Sequence, residues 1–147
     1  MIAMGCDHGG YELKEFIKKY LDQKGIEYRD IGAYSSESVD YAPVAQQAAG
    51  LVASGQAEKG LLFCGTGIGM SMAANKVRGI RAAVCTEEFS AKFTRLHNDA
   101  NILCLGGRVV APGTALKLVE LFLNTGFEGG RHERRVKQIM DIENGRP

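Results

Sequence analysis

One α/β domain, spanning residues 1–147, with a parallel sheet covered by helices on both faces, is the fold class this sequence predicts. Two observations carry the prediction. Five short apolar runs, Ile2–Cys6, Tyr28–Ile31, Leu61–Cys64, Ala82–Cys85 and Ile102–Leu105, are each bounded by glycine or polar residues. Between them lie segments whose apolar residues recur at helical steps. Strands that alternate with helices run parallel, because each crossover carries the chain back over the sheet. At 147 residues, 45% hydrophobic and 24% charged, the chain suffices for one substantial core and is too short to suggest two.

After the first run, Cys6-Asp7-His8-Gly9-Gly10 opens a helix in which Leu13, Phe16, Ile17, Tyr20 and Leu21 recur at three- and four-residue steps. Gly25 sits just past its end as a stop. The second run leads into Gly32–Ala42, rich in serine and acid and longer than a usual connection, which makes it a candidate site loop. Pro43 marks the start of the second helix and Pro112 that of the penultimate one, positions where a missing N–H costs nothing. The third run, Leu61-Leu62-Phe63, passes directly into Cys64-Gly65-Thr66-Gly67-Ile68-Gly69-Met70-Ser71, a strand that delivers a thiol and then a glycine-spaced turn opening a helix. The segment Arg95-Leu96-His97-Asn98-Asp99-Ala100-Asn101 precedes the last strand. From Gly129-Gly130-Arg131-His132 through Val136, Ile139, Met140 and Ile142, a basic-headed helix carries one apolar stripe, of the kind that docks on a partner subunit.

Composition narrows the function classes. A net charge of +1 without a block of lysine and arginine gives nucleic-acid binding little support. No apolar stretch approaches the ~20 residues that cross a bilayer, and the N-terminus lacks the pattern of a signal peptide. The four cysteines show no C-x-x-C pairing, which fits reduced, intracellular thiols and a cytoplasmic protein. The histidines lie in separate segments without ligand spacing, so no metal site is expected.

Ligands in open α/β sheets collect at the carboxyl ends of the strands. The Asp7–Gly10 turn, the Cys64 loop and the His97 segment are all expected at that edge. Asp7 and His8 also fit a helix cap and a surface imidazole, but the adjacent Gly9-Gly10 permits close backbone approach to a ligand. His97 also fits a histidine answering a helix dipole. Cys64 alone reads as a buried small hydrophobe; placed before a glycine turn, it reads as a reactive thiol. Half-ionising a free cysteine at neutral pH takes about 2 kcal/mol. A helix N-terminus supplies about 0.3–1 kcal/mol, so His97, His8 or the substrate's surroundings have to help. The loop lacks G-x-G-x-x-G spacing and no Gly-Lys-Ser/Thr follows, which weakens a nucleotide-binding reading. Arg108, Arg131, Arg134 and Arg135 also fit ordinary solvated charges, but Arg131 and Arg135, four apart on one helical face, suit a phosphate dianion.

Read together, Asp7-His8-Gly9, Asp40-Tyr41, Cys64 to Gly69, Ala73-Ala74-Asn75-Lys76, His97-Asn98-Asp99 and Gly129-Gly130-Arg131-His132 resemble the ribose-5-phosphate isomerase B family, which belongs with the subunits of galactose-6-phosphate isomerase. The resemblance covers nearly the whole chain. It implies a Rossmann-like three-layer fold with strand order 2-1-3-4-5, a homodimer or dimer of dimers with active sites shared between subunits, a phosphorylated sugar as substrate, and no cofactor. It makes Cys64 the base that moves a proton between C1 and C2 through a cis-enediolate; some members use a glutamate where this chain has Met70. It makes Thr66 and His97 the ring-opening pair, with the amides of Gly65, Gly67, Ile68 and Gly69 and the side chain of Asn98 holding the enediolate oxygens. Asp7 and Tyr41 resemble contacts to sugar hydroxyls, and His8, Arg108, Arg131 and Arg135 a phosphate clamp. Three readings compete: an isomerase of allose or galactose 6-phosphate, a non-catalytic sugar-phosphate-binding subunit, and a nucleotide-binding module. The presence of Cys64, Thr66 and His97 together favours an enzyme.

Overall fold

In the computed structural model, which describes residues 1–146, strand and helix alternate as β1 (Ile2–Cys6), α1 (Tyr11–Lys24), β2 (Tyr28–Asp30), α2 (Tyr41–Ala53), β3 (Lys59–Cys64), α3 (Ile68–Ala74), β4 (Ala82–Val84), α4 (Glu88–Asn98), β5 (Ile102–Gly106) and α5 (Pro112–Asn124). A last helix, α6 (Arg131–Glu143), follows. The strands run parallel in the order β2-β1-β3-β5-β4, so β4 and β5 exchange the places expected for them. Burial explains the exchange. The five residues of β5, Ile102-Leu103-Cys104-Leu105-Gly106, are buried throughout and sit inside the sheet. The three residues of β4 are only half-buried, and a short strand leaves few unpaired backbone groups at an edge.

Side-chain alternation along the strands builds the two core layers. Met4, Leu61, Phe63, Leu103 and Leu105 face Leu13, Ile17 and Leu21 of α1 and Leu118, Val119 and Phe122 of α5. Ala3, Leu62, Cys64, Ile102 and Cys104 face Ala45, Ala48, Ala49 and Val52 of α2 and Met70 and Ala74 of α3. The end of α6 is tied to the segment before β4: the Arg78 guanidinium donates to Asn144 Oδ1 at 2.9 Å, and the Gly79 amide to the Glu143 carboxylate at 3.0 Å.

Gly25 ends α1 in the left-handed region at φ 64°, and Pro112 is the first residue of α5. α2 starts at Tyr41, ahead of Pro43, which still lies in the first turn, where no amide has an intrahelical partner. Tyr41 and Ala42 therefore belong to the helix and not to the preceding loop. On α1 the expected core residue Phe16 is 37% exposed, while Lys14 is fully buried. Its ammonium donates to both Asp30 oxygens, at 2.7 and 2.8 Å, and to the Ala33 carbonyl at 2.6 Å, tying α1 to the end of β2 and to the loop beyond it.

Candidate active site

The chain leaves β1 toward β2 on one side and later adds β3 on the other, so the loops after β1 and β3 part at adjacent strand ends. Such a switch point is where a crevice forms. β3 delivers Cys64 to it, 4% exposed, with Sγ accepting the Gly67 N–H at 3.0 Å. Gly67 has φ 80°, and a Cβ there would lie 3.0 Å from the Leu105 carbonyl carbon; both facts call for glycine. α3 is only seven residues long, so the amide in direct contact matters more to the sulfur than the helix dipole. Among the described residues the hydrogen-bond partner of the sulfur is the Gly67 amide, not His97 or His8.

Around this cradle the remaining loops interlock. The Cys64 carbonyl accepts the Gly107 N–H at 2.8 Å and the Gly65 carbonyl accepts the Arg108 N–H at 3.0 Å. The exposed Arg108 guanidinium lies over Gly65, where a Cβ would come within 3.2 Å of Nη1. The Tyr41 ring lies over Gly69, where a Cβ would come within 2.7 Å of it. Asp7 is buried and one oxygen accepts the Gly9 and Gly10 amides, at 2.8 and 3.2 Å, which shapes the turn after β1. Gly9 in turn abuts the Gly65 amide. His8 is exposed, and its Nδ1 accepts the Val39 N–H at 3.3 Å, fastening the loop after β2 to the site. Thr66 is exposed beside Cys64, with Oγ1 accepting the Ile68 N–H at 3.2 Å. Asp7, His8, Tyr41, Cys64, Gly65, Thr66, Gly67, Ile68, Gly69 and Arg108 thus gather at one carboxyl edge.

The other expected site residues do not join them within one chain. His97 and Asn98 end α4, and three residues on, the Asn101 carbonyl accepts the Gly60 N–H at 2.9 Å, near the start of β3. Cys64 lies four residues further along that strand, about 13 Å away at strand rise. A crossover helix returns the chain to the amino edge before the next strand begins, so a segment at a helix end faces away from the turns that follow strands. The shared edge expected for all three segments holds for two. The second group is built where α6 packs on α4. The rings of His97 and His132 stack with centroids 3.8 Å apart at 9°, and the edge of Phe93 meets His97 at 4.9 Å. Glu128 places one oxygen 3.6 Å from His97 Nε2 and the other 3.8 Å from His132 Nε2. Arg131 and Arg135 are exposed on α6 beside them.

Sequence reasoning assigned no function to Glu128 or His132. A signal for His132 was present, since it stands four residues before Val136 and eight before Met140, in line with the apolar stripe. His97, Glu128 and His132 offer ligand atoms within 4.8 Å of one another, a juxtaposition that the spacing along the chain did not suggest. An imidazole binds a metal through a lone pair in its ring plane, and two parallel stacked rings cannot both aim at one ion.

The remaining cysteines mark the contrast with Cys64. Burial pushes the Cys6 and Cys85 thiols up to about 11 and Cys104 well above the ordinary thiol value. Cys6 donates its S–H to the Ala33 carbonyl at 3.5 Å, as a thiol does. Cys64 instead accepts a hydrogen bond, from the Gly67 N–H.

A family profile described as Ribose/Galactose Isomerase matches residues 2–139. The chain belongs to the ribose/galactose isomerase family. The resemblance carried by the ordered motifs is thereby borne out. Among relatives of this family, ribose-5-phosphate isomerase B of Escherichia coli strain K12 is 49% identical over 145 residues, covering 99% of this chain and 97% of that protein. A putative sugar phosphate isomerase of Bacillus subtilis strain 168 is 49% identical over 143 residues, covering 97% and 96%. The structure of Clostridium thermocellum ribose-5-phosphate isomerase B superposes with a TM-score of 0.97 at 49% identity, over 99% of both chains. That of the Mycoplasma genitalium enzyme, with ribulose-5-phosphate bound, superposes with a TM-score of 0.93 at 40% identity, over 97% of this chain and 95% of that one. The three-layer fold with an all-parallel sheet is the fold of these isomerases.

Proposed function

We propose that this chain interconverts ribose 5-phosphate and ribulose 5-phosphate through a cis-enediolate, with Cys64 as the base. The observation that carries the reading is the Cys64 sulfur accepting a backbone N–H inside a glycine cradle bordered by Tyr41 and Arg108. Proton abstraction beside a carbonyl needs a base, donors for the oxygen that gains charge, and an anchor for the remote phosphate. The thiolate takes the proton from C2. The C–H electron pair forms the C1–C2 double bond, the carbonyl pair moves onto O1, and the amides of Gly65, Gly67, Ile68 and Gly69 with Asn98 hold the oxygens. A proton passes from the C2 hydroxyl to O1, the oxygen left on C2 re-forms a carbonyl as its electron pair moves in and the C1–C2 π pair moves to C1, and the thiol returns its proton to C1.

Before that step the furanose opens. The bond between C1 and the ring oxygen breaks with its electrons going to that oxygen, which takes a proton from His97, while the C1 hydroxyl releases its proton through Thr66 to water. Asp7 and Tyr41 contact sugar hydroxyls, and His8, Arg108, Arg131 and Arg135 clamp the phosphate.

The division of these residues between two edges supports a site assembled from two copies of the chain, the Cys64 cradle of one facing the His97 group of the other. Ile68, Met72, Phe89 and Val109 stay exposed in the single chain, which agrees with a covered surface in a dimer. A coupled assay comparing kcat/KM for ribose 5-phosphate, allose 6-phosphate and galactose 6-phosphate tests the reading, with the pentose expected to lead. Cys64→Ala is expected to lower kcat by at least about 10²-fold while ribose 5-phosphate still binds. Near-normal turnover in that variant would remove the thiolate from the mechanism.

A further inference from the structure

His97 is held on three sides. The Phe93 ring meets it edge-on, Phe93 itself stacks on Phe89 with centroids 4.1 Å apart, and the His132 ring covers one face. The remaining neighbour is anionic. Glu128 sits with one oxygen 3.6 Å from His97 Nε2 and the other 3.8 Å from His132 Nε2, and its own amide donates to the Leu96 carbonyl at 3.0 Å, which fastens it to the end of α4. His132 is 3% exposed and its Nε2 makes no hydrogen bond among the described residues.

We propose that Glu128 is a positioning residue for ring opening: its carboxylate, lying near the Nε2 atoms of both His97 and His132, keeps the proton of the stacked pair on His97 by its charge, and turns Nδ1 of His97 toward the sugar. The role rests on the ring-opening function given to His97 above. Two stacked imidazoles do not both carry a charge, and burial decides between them. Burial lowers the proton affinity of His132, and His97, Arg131 and Arg135 push it down further against the pull of Glu128. The His97 ring is about one-third exposed, where His132 is buried. The other charges nearby are engaged elsewhere. Arg95 pairs with Asp99 at 2.8 Å on α4 itself, and Arg81, from the segment before β4, donates to the Asn98 and Asp99 carbonyls. Glu128 is thus the carboxylate that faces the pair. A carboxylate 3.6 Å from Nε2 favours a proton on that nitrogen by its charge, and leaves Nδ1 as the atom that gives its proton to the ring oxygen.

The test is an NMR titration of the imidazole nitrogens in the full-length protein and in Glu128→Gln, read beside kcat/KM on ribose 5-phosphate and on an acyclic aldose phosphate that cannot close. Glu128→Gln is expected to lower the His97 midpoint by about half to one pH unit, less than a buried pair would give because the carboxylate is partly solvated. It is expected to reduce turnover of the cyclic substrate about tenfold, a fraction of what positioned proton transfer contributes, and to spare the acyclic one. Glu128→Asp restores both in part. An unchanged His97 midpoint, or equal losses on the two substrates with only a lower Tm, overturns the proposal. His97→Asn measured in parallel separates the two ideas: if that variant turns over the cyclic substrate normally, the ring-opening reading falls even where the His97–Glu128 coupling is found.

Discussion

A cysteine at the end of a buried strand is ordinarily a small hydrophobe, and what distinguishes Cys64 from Cys6, Cys85 and Cys104 is the direction of one hydrogen bond. Its sulfur accepts from Gly67 N–H, whereas Cys6 donates to a carbonyl and burial raises the other thiols. All four are buried, so access alone does not separate them. The proposed role of Cys64 as base requires a thiolate, and alkylation reads it. Iodoacetamide at neutral pH is expected to modify Cys64 at least about tenfold faster than the other three, as followed by peptide mass spectrometry, and ribose 5-phosphate is expected to slow that modification. Faster labelling of Cys85 would show that the cradle does not activate its sulfur. The Cys-Gly-Thr-Gly spacing made this part of the site legible before any coordinates, because a strand, a thiol and a positive-φ glycine follow one another within a few residues.

The Lys14–Asp30 tie is where helical periodicity alone misleads. Periodicity placed Phe16 in the core and gave no signal for Lys14, since a buried ammonium is visible only once its partner's strand is in place. Burial by itself would raise the Asp30 carboxyl, but hydrogen bonds from Lys14, the Gly32 amide and Lys18 outweigh it and hold the group below the usual carboxylate range. A carboxylate with a lowered folded-state value contributes stability that is present above its unfolded value, near 4, and lost as the pH falls through the folded one. Urea midpoints are therefore expected to drop below about pH 4, and to drop less in Asp30→Asn, which has already lost the contribution. Lys14→Met leaves the carboxylate without its buried partner and is expected to cost about 3–5 kcal/mol, with Lys14→Met/Asp30→Leu recovering much of it. The exchange of β4 and β5 has a similar origin. Both runs read as strands, and only their relative burial decides which takes the interior, a comparison that local pattern does not contain.

Seen entire, one copy of the chain keeps the Cys64 cradle and the His97 group, the two parts of the proposed site, apart from each other. The motifs that carry the family resemblance named both halves, but their separation was not legible along the chain, because it follows from each helix returning the backbone across the sheet. A division of this kind makes a prediction that no single-chain site shares. Cys64→Ala loses the cradle and keeps the imidazole group, while His97→Asn does the reverse. If each site draws one half from each of two copies related by a twofold axis, a mixed dimer of these variants has one site with both defects and one site with neither. Random reassortment makes half of the dimers mixed, and half of their sites are intact. Mixing equal amounts under conditions of subunit exchange is thus expected to restore about one quarter of the wild-type turnover from two nearly inactive stocks. Turnover that stays at the level of the separate variants, with exchange verified by mass spectrometry of differently labelled chains, would mean that each copy completes its own site, and that His97 must reach Cys64 by a rearrangement within the chain.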